Sequence, residues 1–141
     1  MRIVLICGDR NWDDYKKILK TLKNEHTKNP ITYVVEGGQK TYNGDTLQWD
    51  EIHWFGADFQ GKKAARELGF QTVECEALWN YYGKKAGPIR NQLQLNLALR
   101  LVEDYDDMLV LSFHSDLAQS KGTADMVRRA KKAGVKVKVI K

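Results

Sequence analysis

Five short strand-like runs punctuate the chain, and the stretches between them carry helical spacing. The first, Arg2 to Cys7, is almost wholly apolar and ends at Gly8, as a strand buried on both faces of a parallel sheet should. Ile31 to Glu36 reads as a second strand ending on Gly37-Gly38, with Gln71 to Glu76, Asp107 to Phe113 and Val135 to Ile140 as the third to fifth. After Asn11, read as a helix cap, Trp12, Tyr15, Ile18, Leu19 and Leu22 recur at helical spacing to about residue 26. A second helix spans about Phe59 to Leu68 and stops at Gly69. Gly87-Pro88 opens a third, long helix, expected to be well buried, with Ile89, Leu93, Leu97 and Leu101 along one face. A fourth runs from about Thr123 to Ala133 and is closed by Gly134. Strands alternating with helices in this way predict a Rossmann-like three-layer α/β sandwich, about five parallel strands flanked by helices.

At 141 residues, with 43% hydrophobic and 29% charged residues, the chain is expected to form one domain, residues 1–141, and not a disordered segment. Ile3 to Cys7, the longest apolar run, is too short to cross a bilayer and has no signal-peptide flanks, so a cytoplasmic location with no membrane partner is expected. Cys7 and Cys75 both lie in strand-like runs and suit reduced core thiols. The net charge is +5, but most lysines stand on outer helix faces or at the carboxyl tail, and no groove-reading motif accompanies them. Nucleic acid is therefore not the expected partner. His26, His53 and His114 lack ligand spacing, so neither a metal nor another cofactor is expected.

Residues 39–55 interrupt the pattern and are too long for an ordinary βα loop of ~2–6 residues. Tyr42, Trp49, Trp54 and Phe55 argue for order in this segment. It reads as a lid that stacks on a base, or as a local helix or dimer contact.

In an open parallel sheet, ligands bind beyond the carboxyl ends of the strands, where the strand order reverses. Four strand ends carry glycine or polar clusters: Gly8-Asp9-Arg10, Gly37-Gly38 with Gly56-Ala57-Asp58, Trp79 to Asn91, and Phe113 to Thr123. Ser120-Lys121-Gly122-Thr123 supplies hydroxyls, a cation and open backbone just before a helix, fitting either a phosphate site or a capped loop. Arg90, near a helix start, opposes the helix dipole and calls for a neighbouring anion, either a ligand phosphate or a structural carboxylate. Asp58 reads as a helix N-cap or as an acceptor for ribose hydroxyls. No Ser-His-Asp arrangement, Walker loop or G-x-G-x-x-G fingerprint is present.

Together, GDRNW, EGG and GAD, ALWNYYGKKAGPIRN and SKGTADMVRRAKKAGVKV resemble the YspA-like, YpsA-related branch of the SLOG superfamily, distant kin of Lonely Guy and DprA/Smf proteins. The resemblance covers nearly the whole chain apart from residues 39–55. Its most specific part is W-x₃-G-x₃-G-P-x-R-N from Trp79 to Asn91. It implies a nucleotide or nucleotide-derived ligand gathered by Gly8, Arg10, Gly37, Gly38, Asp58, Arg90, Asn91, Gly122 and Thr123. Gly56, Trp79, Phe113, Ser120 and Lys121 belong to the same clusters, and Trp12 or an aromatic of the interruption is the expected base platform.

Two departures stand out. The family's glycine block before GAD is split here by residues 39–55. The glutamate that follows glycine-threonine in Lonely Guy enzymes is also missing, the chain reading Ala124, Asp125, Met126. The expected function is a sensor or sequestering protein for a nucleotide signal in phage or bacterial conflict. The alternative is a nucleoside-monophosphate N-glycosidase using Asp58 and Asp125, and the third reading is a DNA-associated module. Relatives imply a homodimer or higher homo-oligomer.

Overall fold

The computed structural model describes residues 1–42 and 53–141. Strand β1 (Ile3–Gly8) leads through α1 (Tyr15–Lys28) to β2 (Tyr33–Glu36). The two-residue strands β3 (Thr41–Tyr42) and β4 (Trp54–Phe55) pair antiparallel. There follow α2 (Ala57–Glu67), β5 (Gln71–Glu74), the single turn α3 (Trp79–Tyr82) and the long α4 (Ala86–Leu101). Strand β6 (Met108–Phe113), α5 (Lys121–Lys132) and β7 (Lys136–Ile140) complete the chain.

The main sheet is parallel throughout, in the order β5-β2-β1-β6-β7. The order therefore reverses between β1 and β6, which run in register from Ile3 opposite Met108 to Gly8 opposite Phe113. Because side chains alternate along a strand, β1 feeds two cores. Val4 and Ile6 pack with Ile18, Leu22 and Ala64 of α1 and α2, while Ile3, Leu5 and Cys7 pack with Leu95, Ala98, Met126 and Ala130 of α4 and α5. The result is the three-layer Rossmann-like sandwich expected from the alternation. No described helix is long and apolar enough to cross a membrane.

Four local expectations are corrected. Helix α1 begins at Tyr15 and is capped by Asp14, whose Oδ1 accepts from the Lys17 amide at 3.1 Å. Asn11 instead belongs to a turn, donating its amide to Asp9 Oδ1 at 2.9 Å. Helix α2 begins at Ala57 with Gly56 as its N-cap, so Asp58 sits inside the first turn and caps nothing. Helix α4 begins at Ala86, and its buried side is Asn91, Gln94, Leu95 and Ala98, whereas Leu93 is 55% exposed. The apolar stripe misleads because Asn91 and Gln94 turn inward to make hydrogen bonds, Gln94 donating to the Ile6 carbonyl at 3.5 Å.

Of the interruption at 39–55, residues 43–52, Trp49 among them, lie outside the described residues. Its described ends form the β3–β4 pair, Thr41 opposite Phe55 and Tyr42 opposite Trp54.

Candidate functional site

A cleft of about 800 Å³ opens over the carboxyl ends of β1 and β6, where the strand order reverses. Gly8, Arg10, Asp58, Trp79, Arg90, Asn91, Ser120, Lys121, Gly122, Thr123 and Asp125 all line it. Trp12, Gly37, Gly38, Gly56 and Phe113 do not. Trp12 is 8% exposed, stacks at a tilt on Phe113 with 5.6 Å between centroids, and donates its indole N–H to the Asp14 carbonyl at 3.0 Å. It is a core residue in this fold, not a surface for a base.

The glycines work through close approach. A Cβ on Gly8 would stand 2.3 Å from the Phe113 carbonyl and 2.7 Å from Ala57 Cβ, so only glycine lets β1 turn out of the sheet here. A Cβ on Gly37 would lie 2.2 Å from Arg90 Nη1 and 2.8 Å from Asp58 Oδ2. Gly37 thus leaves the space in which these two side chains meet the end of β2. Arg90 donates to the Gly37 carbonyl at 2.6 Å and to Asn91 Oδ1 at 3.2 Å, while Asp58 Oδ2 accepts from the Gln39 amide at 3.2 Å.

Asp58 is 7% exposed. Burial pushes its carboxyl up to about 6, against the lowering pull of Arg90 and the Gln39 amide. Behind it, at the end of β2, Glu36 is fully buried and pushed up to about 8 by burial, by the charge of Asp58 and by nearby Glu74. Glu36 Oε2 accepts from the Gly38 amide at 2.5 Å, but Oε1 has no partner at hydrogen-bond distance among the described residues, although Glu74 is close enough to interact. Cys7 lies on the cleft floor, where burial and then Asp58 push its thiol up to about 12. It is an unreactive thiol at neutral pH.

Asp125 is differently placed. Its carboxylate accepts from Arg128 at 2.5 Å, Arg129 at 2.8 Å and Asn91 at 3.0 Å. Burial works to raise it, but these partners outweigh burial and hold it below the usual carboxylate range. The same Asn91 amide reaches the Gly122 carbonyl at 3.1 Å and so ties α4 to the start of α5. Ser120 caps α5 by accepting from the Thr123 amide at 3.1 Å, leaving the helix N-terminus facing the cleft.

Arg10, Lys84, Arg90, Lys121 and Arg128 put five basic side chains on the cleft against three acidic ones, Asp9, Asp58 and Asp125. Among the described residues only Arg128 of the five makes an ion pair, with Asp125. Trp79, 48% exposed, stands at the mouth with its ring edge against Gly87.

A model of the YspA, cpYpsA-related SLOG family matches residues 2–49. The Gene 61 protein of Mycobacterium phage D29 is 33% identical over 140 residues, covering 97% of this chain and 94% of that protein. The chain belongs to the YspA, cpYpsA-related SLOG family. No solved structure matches it. In this SLOG chain, sequence reasoning missed the cleft residues Cys7, Gln39 and Gln94, and it took in Asp9, Lys84 and His114 only as members of strand-end clusters, giving them no role. Asp9 and His114 stand immediately after β1 and β6, a position that would have flagged them once those two strands were known to be neighbours.

Proposed function

We propose that the cleft binds a nucleotide or nucleotide-derived molecule, and that the protein senses or sequesters it. The observation that carries this reading is that Arg10, Lys84, Arg90 and Lys121 line one cleft together with the N-terminus of α5, none of the four in a salt bridge among the described residues. Cations sharing a cleft with a helix N-terminus are the arrangement that receives a phosphate. Trp79 is the base platform, in the role that sequence reasoning gave to Trp12 or to an aromatic of residues 39–55. The relative is a protein of a mycobacteriophage, which fits a phage setting for such a sensor.

A second reading, hydrolysis of the N-glycosidic bond, is favoured by one observation. Asp58, with its carboxyl held at about 6, is divided between acid and base near neutral pH. Thermal unfolding across a panel of nucleoside mono- and diphosphates and NAD-derived compounds, with each mixture then analysed by mass spectrometry, tests both readings. A ligand at ~100 times its dissociation constant stabilises by ~2.7 kcal/mol, a shift of several degrees. Stabilisation with intact ligand, abolished in Lys121→Ala/Arg90→Ala, supports binding. Free base plus sugar phosphate, lost in Asp58→Asn, supports hydrolysis. A flat response to every compound refutes the nucleotide site.

A further inference from the structure

Two cleft residues remain outside that reading. Asp9 and His114 are the residues that follow β1 and β6, the strands flanking the point of reversal. Both backbones continue the sheet: the Asp9 amide donates to the Phe113 carbonyl, and the His114 amide donates to the Ile140 carbonyl, each at 2.9 Å. His114 is 8% exposed, and its Nδ1 accepts from the Asp116 amide at 3.0 Å. With Nδ1 engaged as an acceptor, the neutral ring carries its proton on Nε2. Nε2 faces Asp9 Oδ2 across 3.9 Å, too far for a direct hydrogen bond. The other oxygen, Oδ1, is taken by the Asn11 amide.

The wall of the cleft therefore presents one fixed donor beside one fixed acceptor. A ligand atom about 2.8 Å from each would subtend them at about 90°, which a hydroxyl meets with each hydrogen bond bent about 10° from linear, inside the favoured range. A phosphate oxygen is excluded because it only accepts and would meet the Asp9 charge. An apolar group would leave both partners unpaired. A hydroxyl satisfies both, donating to Asp9 Oδ2 and accepting from His114 Nε2–H. Resting on the nucleotide reading above, we infer that Asp9 and His114 form a hydroxyl-reading pair that selects a ribonucleotide over its deoxy counterpart.

The test is calorimetric titration of the full chain with ADP, GDP, CDP and UDP, each beside its 2′-deoxy and 3′-deoxy forms. The expected result is that, for the nucleotide that binds, one of the two deoxy forms binds at least about tenfold more weakly. In Asp9→Asn and His114→Phe that difference should shrink to under about threefold. Equal affinity of all three forms for the wild type overturns the hydroxyl pair while leaving the nucleotide site standing, and so does undiminished discrimination in folded variants. Where a different compound of the melting panel is the one that binds, it replaces these diphosphates in the same comparison, and binding of no compound of that panel overturns both readings. If a variant fails to fold, ¹⁵N NMR of the wild-type His114 ring decides the matter. Its Nε2 resonance should move with the ribonucleotide and not with the discriminated deoxy form, and equal movement with both refutes the pair.

Discussion

Replacing Glu36 with Gln should stabilise this protein, and should do so only at high pH. Glu36 is fully buried at the end of β2 with one carboxyl oxygen unpartnered among the described residues. Its pKa rises from 4.5 to about 8, with burial the largest cause. A folded-state pKa above the unfolded value means that the native state holds the proton more tightly. The associated stability is complete below about pH 4.5 and is lost as the pH rises through about 8. At about 1.4 kcal/mol per pKa unit, and with part of the shift shared with neighbouring Asp58 and Glu74, the loss comes to ~2–4 kcal/mol. Gln keeps the shape, still accepts from the Gly38 amide and cannot ionise. Urea unfolding at pH 8.5 should therefore show E36Q more stable by ~2–4 kcal/mol, roughly 5–12 °C in Tm, with the two proteins within ~1 kcal/mol at pH 5. Asp58, also raised, leaves both proteins a smaller slope between about pH 4 and about 6. Parallel stability curves for wild type and E36Q from pH 5 to 9 would refute the reasoning.

Gly37→Ala places a Cβ 2.2 Å from Arg90 Nη1. Because the guanidinium is the flexible end of a long side chain, it should give way and lose its bond to the Gly37 carbonyl, weakening nucleotide affinity about tenfold while lowering Tm only a few degrees; titration and melting of the same sample check both halves. Asp125→Asn leaves Arg129 without its carboxylate and should cost ~1–2 kcal/mol at pH 7 in urea unfolding. Because Asp125 is held below the usual carboxylate range, the stability it contributes is present above about pH 4 and lost as the pH falls through the depressed value, so the gap between the two proteins should narrow progressively as the solution is made more acid than that.

The sheet was legible because the three inner strands β1, β2 and β6, largely buried, leave apolar runs in the sequence, while the half-exposed edge strands β5 and β7 carry polar residues among their apolar ones and were legible chiefly from their places between helices. The cleft was legible where chemistry and backbone coincide, as at Ser120 to Thr123 and at Arg90. Helix α4 was not, because its inward face holds Asn91 and Gln94, polar residues that a hydrophobicity pattern assigns to solvent. Trp12 misled for the converse reason. It sits at helical spacing from Tyr15, yet the turn closed by Asp9 sends its indole into the core. Asp9 and His114 lie 105 positions apart and meet only because β1 and β6 are neighbours, a pairing that local spacing cannot encode.

The β3–β4 pair gives the stretch of chain it closes an unusual freedom to change in length. Thr41 donates its hydroxyl to the Arg10 carbonyl at 2.9 Å, and the Gly56 amide donates to the Trp12 carbonyl at 2.8 Å, so both feet of the excursion are fastened to the loop after β1. With its ends already joined, the length of chain between Tyr42 and Trp54 can double for about 0.6 kcal/mol of closure entropy. Descendants of this sequence can therefore lengthen, shorten or rewrite the stretch between β3 and β4 without renegotiating the five-stranded sheet.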